Sequence, residues 1–414
     1  MKHPLLALAL ASLAAPALSA QAAEIEVMTQ NQYVGTDLLG LIEEPNFNLA
    51  VIDALMTRAA SLPTERVQQL ARLIGSRNPA LAGLQEVYRF TCVDEIPQDH
   101  RGCENPAIAG AFTDQLADTL AALGGRYRVA ATIDNLNLPA AIPALSGAPG
   151  IPIAYDGQVI YVGMLDRDVI LARKDVATAV LPFKGFCYRP SPTSDGCNYA
   201  VVAPATFTLM GQQATVNIER GFVGVVATHQ GQQYRFVNTH LETRLNETTT
   251  RFFQSAQSAE LLQYLGPMQD SKLLVVGDFN SDPTNQVIQY PPEFFDYLAS
   301  LGIPPVFFPV LGIPPYLQMA GSGFVDVATQ RPGKAKGNKK PVVPELTCCQ
   351  DEDLDNAVSK NYERVDLIWS STWPSNVPDV RAIGDTMADK TPPGPFGVWP
   401  SDHASVAARI IFGR

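Results

Sequence analysis

The sequence predicts an α/β domain: a sheet held between covering helices, with a second sheet as a further layer for it to pack against. Three observations predict this. Short β-rich runs alternate with helical windows along the whole chain. Several of these runs are apolar on both faces, as strands lying between two layers are. Five end in polar clusters, reading GLQEV, FVNTHLE, VVGDFN, RVDLIW and WPSDHASV. No repeat with a period of roughly 20–50 residues stands out, which excludes a solenoid.

In chain order, residues 1–22 open with Lys2 and His3, continue as an apolar run over 5–18 and close on Ala20-Gln21-Ala22. This is the pattern of a signal peptide, and the run is shorter than the ~20 residues of a spanning helix. An exported protein with no transmembrane segment in its mature chain is expected. Residues 23–414 read as one domain, because the polar clusters run from Asn31 in MTQNQYVG to His403. Insertions are expected at about 90–110, 135–157, 185–200 and 285–345. Apolar periodicity and flanking glycines place helices at 49–60, 64–74, 112–123 and 249–265. Strands are expected at 25–29, 80–84, 169–172, 222–227, 234–238, 273–276, 365–369 and 404–412.

The 414 residues are 46% hydrophobic and 17% charged, enough apolar material for a large core. Net charge is −11, one unit more negative once Lys2 leaves. A wide nucleic-acid-binding face is thereby disfavoured; the one compact basic run is Lys334, Lys336, Lys339 and Lys340. Six cysteines form three close pairs: Cys92 with Cys103, Cys187 with Cys197, and adjacent Cys348 and Cys349. For an exported chain the first two pairs read as disulfides, while the pairing of the third stays open. Two stretches, 135–155 and 297–325, hold no charged residue. The second carries Phe307, Phe308 and Tyr316, read either as side chains for peripheral membrane contact or as ordinary loop packing.

The polar clusters carry the chemistry. In VVGDFN an apolar strand leads through Gly277 to Asp278 and Asn280, two apart and so on one face if the strand continues. Such a pair suits a phosphoryl site, the amide donating to phosphate while the acid orients water or a metal. Glu86 follows the 80–84 strand as a hard oxygen ligand for Mg²⁺, and Asn31 supplies a neighbouring oxygen or a hydrogen bond to it. Asp402 and His403 immediately precede an apolar strand, and Asp366 is available to hold one nitrogen of that ring, as a general base requires. His240 contacts developing negative charge or protonates the leaving oxygen. Read as strand C-termini, these clusters collect on a single edge of the fold.

The ordered set Asn31, Gln85-Glu86, Asn238-Thr239-His240, Gly277-Asp278-Phe279-Asn280, Arg364-Val365-Asp366 and Ser401-Asp402-His403 resembles the endonuclease/exonuclease/phosphatase superfamily, over essentially the whole mature chain. The resemblance implies a deoxyribonuclease I-like four-layer α/β sandwich, two packed mixed β-sheets flanked by helices. It implies Glu86 as principal Mg²⁺ ligand, assisted by Asn31 and Asp402, with Mn²⁺ or Ca²⁺ as alternatives. It implies His403 oriented by Asp366, Asp278 positioning the water, and Asn280 binding the scissile phosphate, with either Asp278 or His403 as the base. His240 matches the nuclease and sphingomyelinase branches and favours diester cleavage. The carboxylate that supports this histidine elsewhere in the family has no certain counterpart here. Asp168 in DRDVILAR is the candidate for it, Arg173 is a candidate to reach the phosphate, and Asp326 in GFVDV reads as structural.

The expectation is a monomeric phosphodiesterase acting on a lipid head group or small phosphodiester. The alternatives are a secreted nuclease acting on nucleic acid, a phosphomonoesterase, and a non-catalytic binding or toxin-like module.

Overall fold

The computed structural model describes residues 22–38, 40–44, 46–96, 100–209, 211–244, 251–300, 302–330, 345–391 and 396–413. The expected signal peptide, but for its last residue, and the Lys334 to Lys340 run lie outside them. With strands numbered in chain order, one mixed sheet holds β1 (Ala23–Asn31), β2 (Leu81–Gln85), β3 (Arg89–Asp94), β4 (Tyr127–Asn137), β5 (Ile151–Tyr155) and β6 (Gln158–Arg173). It is joined by β17 (Asn376–Ile383) and β18 (Ser405–Phe412). Its order is β17-β18-β1-β2-β6-β3, with β4 and β5 also paired to β6.

The second sheet holds β7 (Ala177–Val180), β8 (Arg189–Pro190), β9 (Cys197–Asn198), β12 (Gly221–His229), β13 (Gln232–His240), β14 (Leu273–Asp278), β15 (Val325–Asp326) and β16 (Asp366–Ser370). Its order is β15-β16-β14-β13-β12-β9-β8, with β7 on β12. A separate hairpin pairs β10 (Ala203–Leu209) with β11 (Gln212–Ile218). The helices are α1 (Gly40–Glu43), α2 (Phe47–Ala60), α3 (Pro63–Arg77), α4 (Gln115–Ala122), α5 (Leu138–Ala141), α6 (Arg251–Leu265), α7 (Pro292–Ser300) and α8 (Pro315–Gly321).

Alternation of side chains along each strand sets the layers. On β14, Leu274 and Val276 face inward to Ile25, Val27, Leu81 and Ile170 of the first sheet. Leu273 and Val275 face outward to Leu261 and Leu265 of α6. On the other sheet Val27 points inward, while Met28 packs against Leu70 and Ile74 of α3. Helix, sheet, sheet, helix is therefore the four-layer α/β sandwich the resemblance implies. Doubly apolar strands are required because each has a layer on both sides.

The expected helices are present with their ends shifted by a few residues. Asn46 and Asp114 accept backbone N–H bonds at the starts of α2 and α4, and Pro63 opens α3. The 135–157 stretch holds the end of β4 and all of β5, which pairs with β6. Cys92–Cys103 and Cys187–Cys197 are disulfides, and Cys348 is bonded to Cys349. Among the described residues no helix is long and apolar enough to cross a membrane.

Of the three rings named in 297–325, Phe307 lies inside the fold, while Phe308 and Tyr316 are half-buried. Phe307 is fully buried with Phe252, Leu298 and Leu311. Phe308 packs on Phe295, and Tyr316 stacks near Trp369 with its hydroxyl donating to Asp326. The uncharged stretch supplies its own apolar cluster against α6, with Phe307 inside it.

Candidate active site

Two parallel pairings deliver the first half of the site. β1 runs parallel to β2 and β13 parallel to β14, so Asn31, Gln85, His240 and Asp278 all end their strands at one rim. The second half arrives the other way. Asp366 begins β16, which is antiparallel to β14 and sets Asp366 opposite Asp278. His403 precedes β18, antiparallel to β1. The expectation that every cluster caps a strand C-terminus is therefore corrected for these two. An antiparallel strand brings its N-terminal end to the rim where its neighbours finish.

Two glycines permit this closeness. A Cβ on Gly83 would stand 2.5 Å from Asn238 Oδ1 and from Val276 Cγ2, so the sheets meet there almost backbone to side chain. Asn238 then crosses between them, donating to Leu84 O and Val169 O at 2.9 and 3.2 Å and accepting from Gln85 Nε2. A Cβ on Gly277 would lie 1.9 Å from Thr239 O, inside the β13–β14 pairing. Beyond the strands, Glu86 and Asn280 turn with φ of 54° and 47°, which swings both side chains from the strand line into the rim.

Asp278 Oδ2 is the centre of the arrangement. Asn31 Nδ2 donates to it at 3.1 Å and to Glu86 Oε1 at 3.1 Å. His240 Nε2 and His403 Nε2 lie 3.6 and 3.7 Å from the same oxygen, outside hydrogen-bond range. Asp278 Oδ1 accepts from Asn280 N at 2.8 Å. Glu86 Oε2 accepts from Val34 N, and Asn31 Oδ1 from Tyr33 N. Asn31 thus presents its amide nitrogen, tying two carboxylates together; its oxygen is engaged by the backbone. His403 Nδ1 donates to Asp366 Oδ2 at 2.8 Å, and Ser401 Oγ accepts from His403 N while donating to Asn31 O. Asn31, His240, Asp278 and Asp366 are buried, while Glu86, Asn280 and Asp402 are partly open to solvent.

Electrostatics separate the two imidazoles. Burial opposes charge on His403, but Asp366, Asp402 and Asp278 overcome it and hold the ring well above its ordinary value. His240 is pushed well below, by burial first and then by the charges of Arg220 and His403. Burial raises Asp278 to about 7 against the pull of His403. Asp402 rises to about 6 by burial, opposed by His403 and reinforced by Glu86.

Arg173 does not reach this site. It binds Asp175 and Asn78 O, at the end of β6 that pairs with the start of β2. Seven residues of extended β6 put it about 20 Å from the rim. Asp168 is fully buried beside Asn135, and burial holds its carboxyl well above the usual carboxylate range. His240 is met instead by Arg220, whose Nη1 lies 3.2 Å from His240 Nδ1. Arg220 was not singled out from the sequence; its only signal is a cation directly before the apolar β12 run. Thr347 was also missed: its hydroxyl accepts from Val365 N and Asp366 N, and its carbonyl from Ala404 N, stapling both halves of the Asp366–His403 pair. Asp326 binds Arg364, Tyr316 and Ala328 N, a structural role as expected.

No family model matches the chain, and no curated protein does. Among solved structures the chain is similar to an endonuclease/exonuclease/phosphatase from Beutenbergia cavernae, at 14% identity over 94% of this chain and 72% of that one, with TM-score 0.47. It is similar to an endonuclease/exonuclease/phosphatase family protein from Bacteroides thetaiotaomicron, at 14% identity over 95% and 100% of the two chains, with TM-score 0.46. A third is the human Nocturnin catalytic domain with bound sulfate anion, at 16% identity over 94% and 95%, with TM-score 0.44.

Proposed function

We propose that the chain is an exported member of the endonuclease/exonuclease/phosphatase superfamily, a divalent-metal-dependent phosphodiesterase that drives water in line onto the phosphorus of a lipid or small phosphodiester. One observation carries the reading. Side chains drawn from residue 31 to residue 403 meet around a single carboxylate oxygen, Asp278 Oδ2, and are of the types that position and stabilise phosphoryl transfer to water.

The donor set fits a hard cation. Glu86 adds to the charge that raises both Asp402 and Asp278, and oxygen ligands of this kind suit Mg²⁺, with Mn²⁺ and Ca²⁺ as alternatives. Glu86 and Asp402 would hold it, joined by Asn31 if its amide turns over. Bound there, it supplies positive charge to the phosphoryl oxygens. The remaining work belongs to the chain. At neutral pH His403 keeps its proton, so Asp278, held near 7, is the group able to take one from water. His403 and Asn280 donate to phosphoryl oxygens as charge develops there. Asp366 fixes the His403 ring. Disulfides at Cys92–Cys103 and Cys187–Cys197 suit an oxidising compartment.

The test uses the mature protein on bis(p-nitrophenyl) phosphate with and without chelator, beside His403→Ala. Activity abolished by both supports the reading; activity indifferent to both ends it, and none on any phosphoester favours a binding module. Release from sphingomyelin liposomes against plasmid nicking, both in Mg²⁺, then ranks the substrates. Nicking at an equal or higher rate would put a nuclease first.

A further inference from the structure

We infer that Arg220 is a positioning residue that locks His240 in its neutral, Nε2-protonated form, making His240 a hydrogen-bond donor to the substrate's phosphoryl oxygen and not the acid that protonates the leaving group. The substrate half of this inference rests on the phosphoesterase reading; the tautomer half does not.

A guanidinium has five donors and no acceptor. With Arg220 Nη1 3.2 Å from His240 Nδ1, that ring nitrogen must present its lone pair, so the single ring proton sits on Nε2. A second proton would set N–H against N–H and two positive charges side by side, inside a site where His240 is 0% exposed. Arg220 itself is secured: it lies 3.5 Å from Asp166 and 3.6 Å from Glu242, both buried, so its charge is held in place. Burial and the Arg220 charge both push the imidazole in the same direction.

The Nε2 proton has no partner of good geometry around it. Asn280 Nδ2, 3.3 Å away, gives one N–H to Leu241 O at 2.9 Å and is also only a donor, so it competes with Arg220 for the ring's one lone pair. The guanidinium cannot turn or lose its charge while the half-exposed amide can turn aside, and the lone pair goes to Arg220. Asp278 Oδ2 is 3.6 Å distant. The N–H therefore faces the side chains of Asp278 and Asn280, and a phosphoryl oxygen bound beside them, with the Asn280 amide turned aside, would be its acceptor. The two histidines are opposites by construction: His403 rests on a carboxylate and carries charge, while His240 rests on a cation and does not.

The experiment is histidine ¹⁵N NMR on the mature protein, with His240 assigned by its loss in His240→Asn. The inference expects the neutral Nε2–H pattern from pH 5 to 8. An imidazolium or an Nδ1–H pattern at pH 7 overturns it, whether or not the protein hydrolyses anything. Arg220→Gln should release the ring to titrate or change tautomer, and Arg220→Lys should restore the wild-type pattern. If Arg220→Gln does not fold, the wild-type spectrum alone still decides. A kinetic arm compares His240→Asn on phosphodiesters with p-nitrophenyl and methyl leaving groups. A hydrogen-bond donor predicts equal losses of about 100-fold on both; a loss tenfold or more greater on the methyl diester would mean that His240 is the acid and overturn the inference.

Discussion

Asp278 and Asp366 are Cα partners across antiparallel β14 and β16, and the His403 ring is the cation that lets two buried carboxylates share one corner of the rim. Asp366 Oδ2 accepts the hydrogen bond of His403 Nδ1–H at 2.8 Å, which leaves Nε2 turned toward Asp278. Asp366→Asn keeps the shape and removes the charge. It should lower kcat by roughly 10²–10⁴-fold and bring the His403 titration down, because Asp366 is the largest influence holding it up. Steady-state kinetics and an NMR titration check both; an unchanged His403 titration would contradict the pairing.

Glu260, buried in α6, accepts from Ala200 N at 2.8 Å, yet burial raises it from 4.5 to about 7. A carboxyl raised in the fold binds its proton more tightly there than in the unfolded chain. The stability it contributes is present below about 4.5 and is lost as pH rises through 7. Relative to wild type, Glu260→Gln should gain on the order of 3 kcal/mol across that window. Denaturant unfolding at pH 4.5 and 7.5 measures it, and parallel behaviour of the two proteins would refute it.

Gly277→Ala forces a methyl to within 1.9 Å of Thr239 O, a backbone atom between two paired strands. The β13–β14 ladder must shift, at roughly 3 kcal/mol or more. The unfolding midpoint should fall and catalysis with it, since His240 and Asp278 end those strands.

Thr347 is buried, and its hydroxyl is the acceptor for two backbone N–H groups. Thr347→Val leaves both unpaired and should cost about 2 kcal/mol. Thr347→Ser should retain the bonds. Activity of the valine variant should drop further than its stability explains, seen at a temperature where it is fully folded.

Mg²⁺ should raise the unfolding midpoint of the wild type and leave Glu86→Gln unmoved. At a hundredfold excess over its dissociation constant the ion contributes about 2.7 kcal/mol. Equal shifts in both proteins would place the ion elsewhere.

Local pattern was enough to read the α/β class, the doubly apolar strands and the rim residues, because burial on both faces and a polar ending are written residue by residue along each strand. Strand direction and register are not. A period of two tells which face a side chain takes, but not whether Asp366 begins or ends its strand. Nor does it tell that β6 carries Arg173 away from the rim while the start of β12 brings Arg220 to His240. The burial of Phe307 belongs with these, since an uncharged stretch looks alike whether it meets lipid or its own domain. What surrounds a side chain depends on which segments pair, and pairing is settled by long-range packing that no single segment encodes.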